Sequence, residues 1–231
     1  MTPKRMIFLV TGIFAGIGIL VSVVIIAING GFSGGGPSIF NPPTSKDLWT
    51  IGSNIENGLN LTYSLTATGE MSNLTNSIVS MKFHDLNDKW NVTFAIKNGS
   101  SNSVKEINMN LTKNQLLPNE PITVNKEKYL SPVDESILAI RDIAREPRYL
   151  VVGAVWDKIT TSSAGVDEKI ISKDSISTPA GTFNVYTLGY KLGNSTSKIY
   201  LNKDLPLPVK AQVYDENGKI LYDYELKSIS R

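Results

Sequence analysis

The residues of greatest chemical capacity in this chain are His84, its only histidine, and the carboxylates Asp85 and Asp88 that follow it. An imidazole beside two carboxylates can contribute to a metal site, but a transition metal wants several strong nitrogen or sulfur ligands, and the chain has no cysteine. His84 falls on the polar side of a strand-like alternation and is expected as an exposed, loop-proximal histidine. Met71, Met81 and Met109 are soft donors of the kind copper prefers, yet Met81 and Met109 occupy the apolar register of their segments, which is the position of core side chains. The acidic pairs Asp215 with Glu216 and Asp223 with Glu225 fall at strand ends or on polar faces, whereas carboxylate catalysis needs two acids converging in a cleft. A phosphate-cradling glycine loop and an HExxH helix are missing from the sequence. The expectation is a protein without catalytic residues, metal or cofactor, and not an enzyme.

The elements that carry these residues are mostly strands. Apolar residues recur at every second position in Leu59-Leu61-Tyr63-Leu65, Val79-Met81-Phe83, Trp90-Val92-Phe94-Ile96 and Ile107-Met109-Leu111. The pattern returns in Phe183-Val185, Ile199-Leu201, Val209-Ala211-Val213 and Ile220-Tyr222-Tyr224-Leu226. Period two is the signature of half-buried strands, so an antiparallel sheet with one wet face is predicted. Asn98-Gly99 is a turn signal, although the seven residues from Lys97 to Ser103 suggest a loop wider than a two-residue hairpin, and Glu216-Asn217-Gly218 supplies a hairpin turn. One segment reads as a helix, with Ser131 as its cap, Pro132 in the first turn, Pro147 beyond its end, and Val133, Ile137, Ile140 and Ala144 as its apolar stripe. Tyr149 to Trp156 is a continuous apolar run compatible with a buried strand or a buried helix.

Residues 6–28 form an uncharged apolar run of 23 residues, preceded by Lys4 and Arg5. As a helix it measures roughly 34 Å, enough to cross a hydrocarbon core of roughly 30 Å. The basic pair predicts a cytoplasmic tip at 1–5, a transmembrane signal anchor at 6–28, a Gly/Ser/Pro-rich linker at 29–45 and an extracytoplasmic β-rich domain at 46–231. The run exceeds a secretory signal core and ends without a clean Ala-x-Ala site, so it is expected to stay uncleaved. Gly12 and Gly16 are spaced for close helix approach but are ordinary in membrane helices. Without Lys4 and Arg5 the 23 basic residues become 21, matching 21 acidic ones, and this neutral domain has no electrostatic footprint for nucleic acid. With no disulfides, its stability must come from the core.

Asn-x-Ser/Thr triplets begin at Asn60, Asn73, Asn91, Asn98, Asn110 and Asn194, all beyond the anchor. Asn60, Asn91 and Asn110 fall in the polar register of predicted strands, while Asn98 and Asn194 sit in turn-like segments. They are candidate glycosylation sites, since only a solvent-facing asparagine carries a glycan.

Thr178-Pro179-Ala180-Gly181-Thr182-Phe183 and Leu205-Pro206-Leu207-Pro208-Val209-Lys210, each leading into a strand, resemble the C-terminal half of extracytoplasmic domains related to the bacterial lipoprotein carriers (Lol-type half-barrels). The whole also resembles archaeal-type single-pass surface proteins. The first resemblance implies a curved antiparallel half-barrel whose concave apolar face is lined by helices and holds acyl chains. The expected fold class is therefore α+β, mainly antiparallel β, with a curved sheet or half-barrel packed against a helix and one transmembrane helix. The expected function is a membrane-tethered, non-enzymatic domain binding an apolar ligand, lipid or membrane partner on the concave face, with Tyr63, Phe83, Trp90, Phe94, Tyr222 and Tyr224 as its lining. The alternative is a structural or accessory subunit of a surface layer or membrane complex.

Overall fold

Alternation in the sequence becomes a single broad sheet. The computed structural model describes residues 43–68, 74–99, 103–160 and 165–231. The expected anchor at 6–28, most of the linker, Met71 and the triplet asparagine Asn73 lie outside the described residues. Among the described residues no helix is long and apolar enough to cross a membrane.

A short helical turn at Ser45–Asp47 leads into β1 (Leu48–Trp49). Four long strands follow, β2 (Asn60–Ala67), β3 (Ser77–Asp85), β4 (Lys89–Lys97) and β5 (Val104–Thr112). The helices α1 (Val124–Asp134) and α2 (Ile140–Ile143) interrupt them. The second half comprises β6 (Arg148–Tyr149), β7 (Val155–Thr160), β8 (Gly165–Thr178), β9 (Gly181–Leu192), β10 (Ser195–Leu201), β11 (Lys210–Tyr214) and β12 (Ile220–Ser230). Ten strands pair in the order β5-β4-β3-β2-β12-β11-β10-β9-β8-β7, every neighbour antiparallel, while β1 and β6 pair separately. The order joins the two halves through the antiparallel pairing of β2 with β12.

The sheet is open, with β5 and β7 at its ends, but it is not flat. In a flat sheet β8 would lie four strand spacings, about 19 Å, from β12. Residues of the two strands nevertheless approach with Cα atoms within 8 Å. Curling of this kind is the expected consequence of strand twist and of bulges, which interrupt the register at Ile170/Ser172, Val213/Tyr214 and Leu226/Ser228.

The predicted apolar registers of β2, β3 and β4 point inward. Leu61, Tyr63 and Leu65, Val79, Met81 and Phe83, and Val92, Phe94 and Ile96 are each at most 2% exposed. The helical layer that meets them differs from expectation at its boundaries. Ser131 does not cap a helix: α1 begins seven residues earlier, and Pro132 lies inside its last turn. The upstream Lys-Glu-Lys-Tyr-Leu stretch propagates the helix through the proline, which forgoes its own bond to the carbonyl of Lys128, and the helix ends two residues later. Ser136 Oγ then donates to the Pro132 carbonyl at 2.5 Å. The stripe survives this break, with Val133, Ile137, Ile140 and Ala144 all buried.

Tyr149 to Trp156 is neither a buried strand nor a helix. It contains β6, a turn and the start of β7, with Val152 and Val155 more than half exposed and Leu150 and Trp156 buried. The strands β7 and β8 were not foreseen, because the bulge at Ile170/Ser172 breaks the alternation of β8 into two phases.

Candidate functional site

The inner face of the sheet carries two groups of touching aromatic rings. Tyr63 and Tyr224 meet edge to face with centroids 5.8 Å apart, Tyr222 stacks on Tyr224 at 6.0 Å, and Phe83 meets Trp90 edge to face at 6.2 Å. All six residues expected to line a concave face lie there, and all are buried, from 0% exposed for Tyr63 and Phe83 to 8% for Tyr222. Tyr63 donates its hydroxyl hydrogen to the Pro208 carbonyl at 3.1 Å, which ties β2 to the turn before β11. Burial raises the phenols of Tyr63, Tyr222 and Tyr224 well above the ordinary tyrosine value, so all three stay protonated. The layer is packed core, part of one buried cluster that also holds Leu130, Val133, Ile137 and Ile140 of the helical segment.

One end of that face is polar. Glu168 on β8 is 5% exposed and sits directly opposite Asp157 of β7. Burial first, and then the charge of Asp157, pushes its carboxyl up to about 7. Glu168 in turn raises the neighbouring phenols of Tyr190 and Tyr222, behind burial as the main cause. The alternation through Val166, Glu168 and Ile170 was the only sequence sign that this glutamate points inward.

The outer face holds the other expected residues. His84 is exposed on β3 opposite Asn91, and its neighbour Asp85 is bound by Lys113 at 2.6 Å. That hydrogen bond, with another from the Asn87 backbone N–H, holds the Asp85 carboxyl below its ordinary value. Asp215 accepts from the backbone N–H groups of Asn217 and Lys219, Asp223 accepts from Gln212, and Glu225 lies within 3.6 Å of Lys210. Among the described residues no three His, Cys, Asp or Glu side chains gather for a metal.

The triplet asparagines divide by setting. Asn194 is exposed in the tight β9–β10 turn beside Gly193, whose φ of 56° suits glycine. Asn60 accepts from Ser80 Oγ at 2.6 Å, and Asn98 follows the end of β4. Asn91 and Asn110 are directly paired across β4 and β5, and Asn91 Nδ2 donates to Asn110 Oδ1 at 3.0 Å.

The open concavities lie at the surface. One runs beside β5, where a space of about 480 Å³ lined by Lys105, Asn108, Thr123 and Lys126 adjoins one of about 320 Å³ lined by Asn110, Glu120 and Ile122. Nothing in the sequence marks this groove, since its two walls, residues 105–110 and 120–126, are ten or more residues apart and meet only in the fold.

No protein-family model matches the chain, and no curated protein matches it. Solved structures give a weak likeness. An exported protein with a YmcC-like fold from Bacteroides fragilis aligns over 80% of this chain and all of its own, at 9% identity and a TM-score of 0.38. MucB aligns over 78% of this chain and 55% of its own, at 11% identity and a TM-score of 0.41, and MucB in complex with MucA(peri) over 76% and 50%, at 11% and 0.40. The chain thus spans about half the length of the MucB chains it matches, and its described part is weakly similar in structure to exported β-rich domains.

Proposed function

We infer that this protein is a non-enzymatic interaction domain, tethered to the outer side of a membrane by residues 6–28, that engages a protein partner at its surface as an accessory subunit. The observation that carries this reading is the burial of all six aromatic residues of the inner face, with Tyr63, Phe83, Phe94 and Tyr224 at most 1% exposed. A face already covered by the chain's own side chains has no apolar surface left to hold a ligand. The polar groups support the same reading, since the carboxylates on the outer face are spent on lysines, a glutamine and turn amides. Native mass spectrometry of the full chain gently extracted from its own membrane tests it. Release with other protein subunits is the expected result. A lone chain releasing a lipid-sized mass would replace this reading with apolar-ligand binding on the concave face.

A further inference from the structure

The edge strand β5 is only half covered. At its C-terminal end the chain folds back and pairs with it: Thr112 N–H donates to the Leu117 carbonyl at 2.8 Å, and Asn119 N–H to the Asn110 carbonyl at 3.0 Å. These bonds show that the backbone groups of residues 110 and 112 point away from β4. Alternate residues of an antiparallel strand turn their amide groups to the same side, so Asn108 and Glu106 present theirs outward as well. The Asn108 carbonyl is met only by a side chain, Lys126 Nζ at 3.1 Å. Among the described residues the Asn108 N–H and both backbone groups of Glu106 have no backbone partner on that side. They face the 480 Å³ space beside α1.

We propose that this groove binds an extended segment of a partner polypeptide, which adds as a strand to β5 at Glu106 and Asn108. The occupant follows from the ladder itself. Residues 117–119 already use the edge through strand-type hydrogen bonds, and the next donors and acceptors continue that row at the spacing only an extended backbone matches. Side chains of the added strand opposite Ile107 and Met109 point toward the inner face, beside Ile122, and are apolar; those opposite Glu106 and Asn108 point to the wet face. At the Lys105 and Lys126 end, the first turn of α1 has no side-chain cap on its free N–H groups, which favours an acidic residue there. Lys126 acts as the edge guard in the unbound protein and gives up the Asn108 carbonyl to the incoming strand. This rests on the reading of the chain as a partner-binding domain and names where and how the partner is held.

The test is selection of octapeptides from a random displayed library on the full-length chain in detergent, followed by hydrogen exchange and probe methylation. The expected result is a set of alternating sequences that slow exchange of the Glu106 and Asn108 amides at least about tenfold. N-methylation at the peptide positions facing β5 should weaken binding at least about tenfold, and methylation at the intervening positions should not. Asn108→Pro removes the outward N–H without touching the β4 ladder and should abolish binding, and the methylated probes decide the matter even if that variant folds poorly. Failure to select any peptide, protection elsewhere, or indifference to methylation would overturn the proposal. In that event a subunit still released in native mass spectrometry would leave the partner-binding reading standing, and a lone chain would remove both.

Discussion

Trp49 and Trp156 stack with ring centroids 5.9 Å apart and planes inclined by 22°, and each is almost fully buried. Trp49 Nε1 donates to the Leu205 carbonyl at 3.0 Å and Trp156 Nε1 to the Tyr149 carbonyl at 2.9 Å. With Gly52 N–H bonded to the Pro206 carbonyl, this pair stitches β1 and the turn after it to the β10–β11 connection and to the far sheet edge. Replacing Trp156 with Ala should cost about 3–5 kcal/mol, because it empties a large buried volume and leaves the Tyr149 carbonyl without its indole partner. Urea unfolding followed by circular dichroism measures this, and an unchanged midpoint would show that the stack is not structural.

Glu168 makes stability depend on pH. Its carboxyl is raised from 4.5 to about 7, so the folded protein holds this proton more tightly than the unfolded chain does. The contribution is fully present below about 4.5 and is lost as pH rises through about 7, at most roughly 3 kcal/mol in total. The unfolding midpoint should therefore fall between pH 5 and pH 8, and Glu168→Gln should flatten that slope. A wild-type midpoint that rises over this range, with no change in the variant's slope, would contradict the placement of Glu168.

Arg141 is 9% exposed and binds Asp134 at 2.5 Å and the Leu116 carbonyl at 3.3 Å. Asp134→Ala strands the guanidinium in the core and should destabilise the fold by about 2–3 kcal/mol, whereas Arg141→Met removes the charge together with its need for a partner and should cost less. The order of the two midpoints is the measurement, and the reverse order would refute the argument.

Asn91 and Asn110 share one hydrogen bond and one site on the outer face. Directly opposed residues stand about 5 Å apart at Cβ, too close for two glycans on a folded sheet. In a host that glycosylates exported chains, glycopeptide mapping should find Asn194 occupied and at most one of Asn91 and Asn110 modified per molecule. Asn110→Gln should raise occupancy at Asn91, and full double occupancy would show that modification precedes pairing.

The strands of the first half were legible because each has one face in the core and one in water, which writes burial directly into alternating residue type. Tyr63, Phe83, Trp90, Phe94, Tyr222 and Tyr224 could be placed on one face by that rule alone. Helix boundaries were less legible, since Ser131-Pro132 has the local chemistry of a start while the preceding residues propagate a helix through it. The bulge in β8 hid a fourteen-residue strand, because one extra residue reverses the phase of everything after it.

Local pattern thus determined the antiparallel class, the inward register and the turn at Glu216-Asn217-Gly218, all of which depend on neighbours within a few residues. Strand order, the covering of the aromatic face, the opposition of Glu168 to Asp157 and the half-free edge of β5 were decided by tertiary structure. Each joins segments distant in the chain, and whether an apolar face is open or covered depends on which distant segment packs against it.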